Sequence, residues 1–423
     1  MRVAYLTGRY PGISHTFITR EVKALRELGV EVETFSIWPT DRELLLTPHD
    51  EQEHRTTYTL LPIRVADALR AHLCAVFTRP RHYGKTIRRA ITLRRPHARG
   101  WALALVWVLE TMVLWDQCRR REIRHVHVHL NGTAPTVALL LASFADDEAS
   151  GPDAWTWSMT VHGPSEFYDT LGEQLSAKVR AATFVICISD FARSQLMGLV
   201  EQPHWGKLRV VHCGVDPAVF DPAPKSGERK LRVLNVGRLV SVKGQAVLIE
   251  AVDLLTQHGV DVDLTLVGEG PTRAELEQLI ATRGLSERAR LVGAVGQDEI
   301  LDYYRAANVF CMSSFAEGVP VVLMEAMAQE IPVVAPAIMG IPELVENGVS
   351  GLLTRPARAD EIAAALAHLA RAPMLRDSLG RNARKKVIAE FTIERSAREL
   401  SAIFQEHLQE SGDSLKEHGG AAG

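Results

Sequence analysis

Cysteine is scarce: Cys74, Cys118, Cys187, Cys213 and Cys311 are the five in 423 residues, far apart and with no Cys-x-x-Cys pair. Such spacing suggests neither a disulfide framework nor a structural zinc site, and it points to a reducing, cytoplasmic setting. Excess charge is lacking too. Lys plus Arg is 48 against 51 Asp plus Glu, a net charge of −3, so nothing global draws the chain to nucleic acid and any basic site must be local. The opening MRVAYLTGRYPG has no apolar stretch with a cleavage site and reads as mature sequence. The longest apolar run, residues 101–115, carries Glu110 and falls short of the roughly 20 residues that span a bilayer, so a buried helix is expected there. Absence of a repeat with a period of about 20 to 50 residues excludes a solenoid.

What is present is ordinary globular composition, 46% hydrophobic and 23% charged. At roughly 100 to 200 residues per domain, the length predicts two or three domains. An apolar strand at residues 2–7, a Gly and Pro loop, a helix at 16–28 ended by Gly29 and a second strand at 31–37 make a βαβ unit, hence a parallel α/β sheet. Strands resume at 125–129, 157–162 and 184–188, while residues 41–124 read as a helical insertion. The text DPAVFDPAPKSGERK at 216–230 is rich in Pro and charge, as a domain edge is. A second series then follows: LRVLNVG, VDLTLVG, ARLVGAV, VFCMSS, IPVVAP and GLLT read as strands with helices between most of them. The expectation is an α/β protein of two doubly wound domains, 1–220 and 221–390, a C-terminal helix at 391–410 and a disordered tail at 411–423.

In open α/β sheets, ligands bind beyond the carboxyl ends of the strands, so the loops there are the ones to read. In NVGRLVSVKGQ, Arg238 sits just past a strand and Lys243 at the mouth of the next helix. Two cations beside a helix N-terminus can neutralise a diphosphate, though surface cations capping a loop would look the same. In SSFAEGVPVVLMEAMAQ, Glu317 precedes Gly318 and Pro320, and Glu325 lies inside an apolar helix. Backbone amides from Gly318 to Val322 would face an anion. Glu325 could accept from two vicinal hydroxyls, as a ribose presents, because a carboxylate among Leu323, Met324, Ala326 and Met327 is more than a solvated surface group. In WSMTVHGPSEF, His162 closes a strand and could bond a hydroxyl or phosphate, or simply pack. In YPGISHTF, Gly12 would let backbone approach a ligand.

Together VHG, VVHCGVDPAVF, NVGRLVSVKG, LVGEGP and EGVPVVLMEAMA resemble the family 4 glycosyltransferases, the retaining nucleotide-sugar enzymes of the GT-B fold. The likeness covers most of the chain, and the paired glutamates Glu317 and Glu325 with Arg238 and Lys243 are its specific part. The opening SHTFITREVKALRELGVEVETFSI looks most like bacterial exopolysaccharide enzymes, including the colanic acid group. The resemblance implies two Rossmann-like domains facing across a cleft, an acceptor-side N-terminal domain and a nucleotide-sugar-binding C-terminal domain, with the last helix a candidate to cross back to the first. It implies that Arg238 and Lys243 hold the donor diphosphate, Glu325 the ribose and Glu317 the transferred sugar. Amides of Gly318, Val319, Val321 and Val322 would contact sugar hydroxyls and phosphate. His162 would sit by the donor sugar and acceptor, Gly12 under the phosphates and Val295 near the base, with UDP expected although the GAVGQ loop discriminates little between uracil and guanine. No metal or cofactor is expected.

HVHVH at His125, His127 and His129 invites a metal reading, but three side chains on one straight strand are expected to splay. GEGP at 268–271 lacks the third glycine of a dinucleotide fingerprint and reads as a turn. The sequon at Asn131 is expected to go unused. Residues 79–99 hold eight Lys or Arg and no acid. Such a run is usually a solvated face, yet with Trp101 beside it residues 79–101 could meet an anionic membrane surface, which suits a lipid-linked acceptor. A saccharide, lipid-linked or small-molecule acceptor therefore stays open, as do a nucleotide-sugar epimerase and a non-catalytic sugar-nucleotide binder.

Overall fold

A computed structural model describes residues 1–12, 16–45, 47–93, 98–130, 132–145, 155–171, 174–222, 230–297 and 299–413, with side chains at 98–99 and 409–413 left aside. Asn131 of the sequon, Ser14 and His15 of the first loop and most of the expected tail lie outside the described residues.

The chain divides into two compact units, the first formed by residues 1–188, 192–211 and 397–423, the second by 189–191 and 212–396. In the first unit seven parallel strands form one sheet: β1 (Arg2–Arg9), β2 (Glu31–Trp38), β3 (Tyr58–Thr59), β4 (His125–His129), β5 (Thr156–Val161), β6 (Phe184–Cys187) and β7 (Leu208–Val210). Their order is β3-β2-β1-β4-β5-β6-β7, with Tyr5 beside both Thr34 and His127, and His127 beside Ser158. Strand interiors are buried on both faces, as the near-continuous apolar runs require of a parallel sheet covered by helices.

The 41–124 segment holds the helices Pro48–Thr56, Val65–Thr78, Pro80–Leu93 and Ala98–Arg120. It also contributes β3, a two-residue edge strand the sequence pattern does not announce. By length and composition Gly100–Arg120 could cross a bilayer. Here Met112, Val113, Leu114, Trp115 and Cys118 of that helix are buried in the core of the first unit. Glu110 is buried with them, neither carboxylate oxygen finds a hydrogen-bond donor among the described residues, and burial raises its pKa to about 8.

The second unit has six parallel strands, β8 (Leu231–Val236), β9 (Val262–Val267), β10 (Ala289–Gly293), β11 (Val309–Cys311), β12 (Val333–Pro336) and β13 (Leu352–Thr354), in the order β10-β9-β8-β11-β12-β13. Each sheet thus reverses its winding once, between β1 and β4 and between β8 and β11. Both units are Rossmann-like, and these reversals are where a doubly wound sheet opens a crevice for ligands.

The changeover between units falls at Val211 and His212, before the Pro-rich stretch and not at 220. Val215 is the reason: its amide donates to Phe391 O and its carbonyl accepts from Ile393 N, which ties this segment to the second unit. Of the last helix, Ile393–Asp413, residues from Ala397 belong to the first unit, where Phe404 meets the rings of His125 and Phe184.

Candidate functional site

The reversal between β8 and β11 collects the sequence-selected residues of the second unit other than Val295. Past β8 the chain turns at Gly237, whose amide donates to Val267 O, and at Leu239, whose amide donates to Glu269 O. These two loops touch backbone to backbone. A Cβ on Gly268 would lie 2.0 Å from Gly237 O, and one on Gly270 2.2 Å from Leu239 O, so GEGP is a close-packing device. Arg238 lies between these anchors, its carbonyl held by Gln245 Nε2 at 2.9 Å while its side chain is exposed, without a partner among the described residues.

A short 3-10 turn, Ser241–Lys243, leads through Gly244 (φ +61°) into the helix Gln245–Gln257. A side chain at Gly244 would strike Ser313 O at 2.3 Å. That contact, the Phe315 amide donating to Val242 O and Ser313 Oγ donating to Gly244 O stitch the loop after β8 to the loop after β11. The stitching brings Lys243 Nζ to 2.6 Å from Glu317 Oε1, with side chains 28% and 9% exposed. A half-buried cation is therefore held at the crevice by one carboxylate, with its remaining donors available to an entering anion.

Pro320 caps the helix Val321–Ala328. The first amides of a helix have no acceptor within it, and here those of Leu323 and Met324 are the first to find one, both on Pro320 O. Gly318, Val321 and Val322 are half-buried and Val319 is buried. The turn at Gly340 presses on this segment, since a Cβ there would lie 2.6 Å from Gly318 O. One turn into the helix Glu325 is buried, and Tyr304 Oη donates to its Oε2 at 2.8 Å. Tyr304 went unnoticed because DYYRAA carries no local pattern that marks a buried phenol. Val295 lies past β10 on the same edge of the sheet, two strands from β8, and is half-buried.

Gly12 and His162 belong to the first unit. Gly12 is half-buried past β1, beside Pro11, whose carbonyl accepts from Thr40 Oγ1 at 2.8 Å. His162 follows β5 and its ring lies on Phe17, centroids 4.5 Å apart. The carboxylate of Glu166 accepts the amides of His162 at 2.5 Å and Gly163 at 2.9 Å. His129 Nδ1 lies 2.9 Å from His162 Nε2, His129 Nε2 lies 3.1 Å from Glu21 Oε1, and that oxygen accepts from Tyr5 Oη at 2.7 Å. His129, Glu21 and Glu166 were missed, because only the tertiary fold joins a strand, a helix and a loop.

Two of the three histidines of β4, His127 and His129, converge where all three are expected to splay, whereas His125 stands outside their group. The rings of His127 and His129 are 4.9 Å apart, and with Glu21 they present ligand atoms within 4.8 Å of one another. Both nitrogens of His127 face hydroxyls, Ser158 Oγ at 2.7 Å and Thr160 Oγ1 at 2.9 Å, and those of His125 face Thr156 and Ser158. Burial lowers the pKa of both, that of His125 to about 3, so both imidazoles are neutral on this hydroxyl ladder.

The family model for glycosyl transferases group 1 matches residues 219–386. The amylovoran biosynthesis glycosyltransferase AmsK of Erwinia amylovora is 36% identical over 206 residues, 47% of this chain and 51% of that protein, so the match spans about half of AmsK. The alpha-D-kanosaminyltransferase of Streptomyces kanamyceticus is 30% identical over 328 residues, 73% of this chain and 83% of that protein. In fold, the chain is similar to Anabaena Alr3699/HepE in complex with UDP-glucose, with a TM-score of 0.69 at 18% identity over 96% of this chain and 100% of that one.

Proposed function

Since the chain belongs to the group 1 glycosyl transferases, we propose that it transfers a hexose from a nucleotide-diphosphate sugar, with UDP as the nucleotide, to a hydroxyl of a saccharide or lipid-linked acceptor in exopolysaccharide or glycolipid assembly. Within the family we assign it to the retaining family 4 enzymes. The observation that carries this reading is the Lys243–Glu317 pair at the β8–β11 reversal, beside the amides that precede the helix Val321–Ala328. A paired lysine, the exposed Arg238 and a helix N-terminus are what a departing diphosphate needs for charge stabilisation, and none of it calls for a metal.

In this reading the acceptor oxygen bonds to the anomeric carbon on the face that the diphosphate leaves. The anomeric carbon–oxygen bond breaks, and the acceptor proton passes to the departing phosphate. Arg238 and Lys243 hold that phosphate, Glu325 takes the ribose hydroxyls with Tyr304 fixing its orientation, and Glu317 faces the sugar. Amides of Gly318, Val319, Val321 and Val322 bind sugar hydroxyls and phosphate, Val295 lies toward the base, Gly12 under the phosphates, and His162 beside sugar and acceptor. HepE, of like fold, binds UDP-glucose, which supports UDP. AmsK is named for amylovoran biosynthesis, which supports a saccharide acceptor. The second reading is the same chemistry on a soluble small-molecule acceptor. We place the protein in the cytoplasm, with residues 79–101 turned to the anionic inner face of the membrane.

The test is sugar transfer in EDTA from labelled UDP-glucose or UDP-galactose to a lipid extract or a panel of small sugars, with the new anomeric linkage read by NMR. Labelled product with the donor's α configuration is expected, and Arg238→Ala or Lys243→Ala should lower turnover by about a hundredfold or more. Near-normal transfer by both variants would refute their role, an inverted linkage would remove retention, and isomerised donor without transfer would favour an epimerase.

A further inference from the structure

The helix Val65–Thr78 of the first unit is packed inside out. Its fully buried residues are the small Ala71 and Ala75, while Val65, Leu69, Leu73, Val76 and Phe77 are 71%, 59%, 54%, 40% and 80% exposed. Intervals of four, four, three and one place these five on a single stripe. A surface helix ordinarily turns its large apolar side chains inward and its polar ones to water. This helix is apolar on both sides, and a continuous row of large apolar side chains on a surface marks a contact with something other than water.

The next helix, Pro80–Leu93, follows after Arg79 alone and packs on Val65–Thr78 and on Ala98–Arg120. It too turns small residues inward, Thr86 and Ala90. Arg81, Lys85 and Arg88 lie exposed on one stripe and have no partner among the described residues, and Arg89 beside them donates to Ser143 Oγ. No Asp or Glu occurs anywhere from Ala68 to Leu109. Trp101 and Leu105 are exposed at the start of the helix on which both others pack, at 49% and 65%.

We propose that the two-helix hairpin 65–93 is the surface by which this protein docks on an anionic lipid bilayer, the Val65–Phe77 stripe entering the acyl boundary and the Arg81–Lys85–Arg88 stripe taking lipid phosphates. This deepens the reading that the basic segment meets a membrane, and rests on it. The basic run alone needs only an acidic partner of any kind. An apolar stripe next to an acid-free basic one matches the two layers of a leaflet, hydrocarbon below and phosphate at the surface. A second copy of the chain fits less well, for it would bring an equally acid-free basic stripe to the contact.

Co-sedimentation of the full chain with vesicles of phosphatidylcholine, and of an equal mixture of phosphatidylcholine and phosphatidylglycerol, tests the proposal. The wild type should bind the mixed vesicles and leave the neutral ones largely free. The combined variant Leu69→Glu, Leu73→Glu, Phe77→Glu should partition at least about tenfold more weakly, and Arg81→Glu, Lys85→Glu, Arg88→Glu should lose its preference for the anionic lipid. All six side chains are exposed, and a far-UV spectrum verifies the fold. In Phe77→Trp the new indole should be quenched by brominated acyl chains. Anionic binding unchanged by the three apolar substitutions, with that indole unquenched, would overturn the insertion stripe while sparing the basic surface. Binding to neither vesicle would overturn both, as would a lipid-free dimer that the apolar variant dissolves.

Discussion

A single carboxyl group, Glu110, sets a pH dependence on the first unit. With its pKa raised to about 8 by burial, it is protonated in the native protein at neutral pH, whereas in the unfolded chain it ionises near the ordinary glutamate value. Below that ordinary value both states hold the proton and pH does not matter. Between there and about pH 8 only the native state holds it, so the stability this group contributes falls as pH rises, by an amount on the order of a few kcal/mol, and levels off above. Glu110→Gln should remove this slope. Urea unfolding at pH 5, 7 and 9 should show the stability of the wild type relative to that variant falling over the series, a difference in which the opposite slope from the buried neutral His125 and His127 cancels; a difference that stays constant would contradict a buried protonated carboxyl. Glu110 was legible as the blemish in an apolar run, but its lack of a partner was not. The same division holds at the second unit's crevice. Arg238, Lys243, Glu317 and Glu325 stand out because phosphate and ribose chemistry needs those residue types just past strand ends. Their support does not: Tyr304 under Glu325, like Glu166 at His162, comes from packing that no local spacing encodes.

Loops between elements carry the next level of constraint. The turn after β9 presses on the turn after β8 so closely that Gly268, at φ +145°, has no room for a methyl group, whereas at Gly284, with φ +67°, an added Cβ would meet nothing within 4 Å. Gly268→Ala should therefore destabilise the second unit by about 2 kcal/mol or more, through strain together with collision, and Gly284→Ala by roughly half that or less, through strain alone. Equal losses in thermal or chemical unfolding would contradict the contact. Most strands were legible as elements. The expected strands at 125–129, 157–162 and 184–188 match β4, β5 and β6 within a residue or so, and all six of the second unit are present, because buried parallel strands are short apolar runs between turn residues. β3 and β7 were not. With two and three residues they have no periodicity of their own and become strands by pairing with a neighbour. The hairpin 65–93 was half legible: its basic stripe is a charge run, whereas the exposure of Leu69, Leu73 and Phe77 is decided by which side faces the helix Ala98–Arg120.

For the molecule as a whole, two sheets that each reverse their winding once give two crevices, and the alternation of strands and helices announced both. Composition misplaced the boundary slightly, since Pro and charge report solvent exposure whereas membership of a unit follows pairing, here of Val215 with Phe391 and Ile393. The second unit's crevice, with Lys243 on Glu317 and the amides before Val321, is the proposed donor site, on which the proposed sugar transfer depends. Calorimetric titration of the wild type and Glu325→Ala with UDP, GDP and ADP in EDTA measures that site with no acceptor needed. The predicted result is micromolar binding of one nucleotide, UDP, markedly weakened in the variant. Binding of none of the three, or equal binding by both proteins, would contradict a ribose held by Glu325 and a diphosphate held at the β8–β11 reversal.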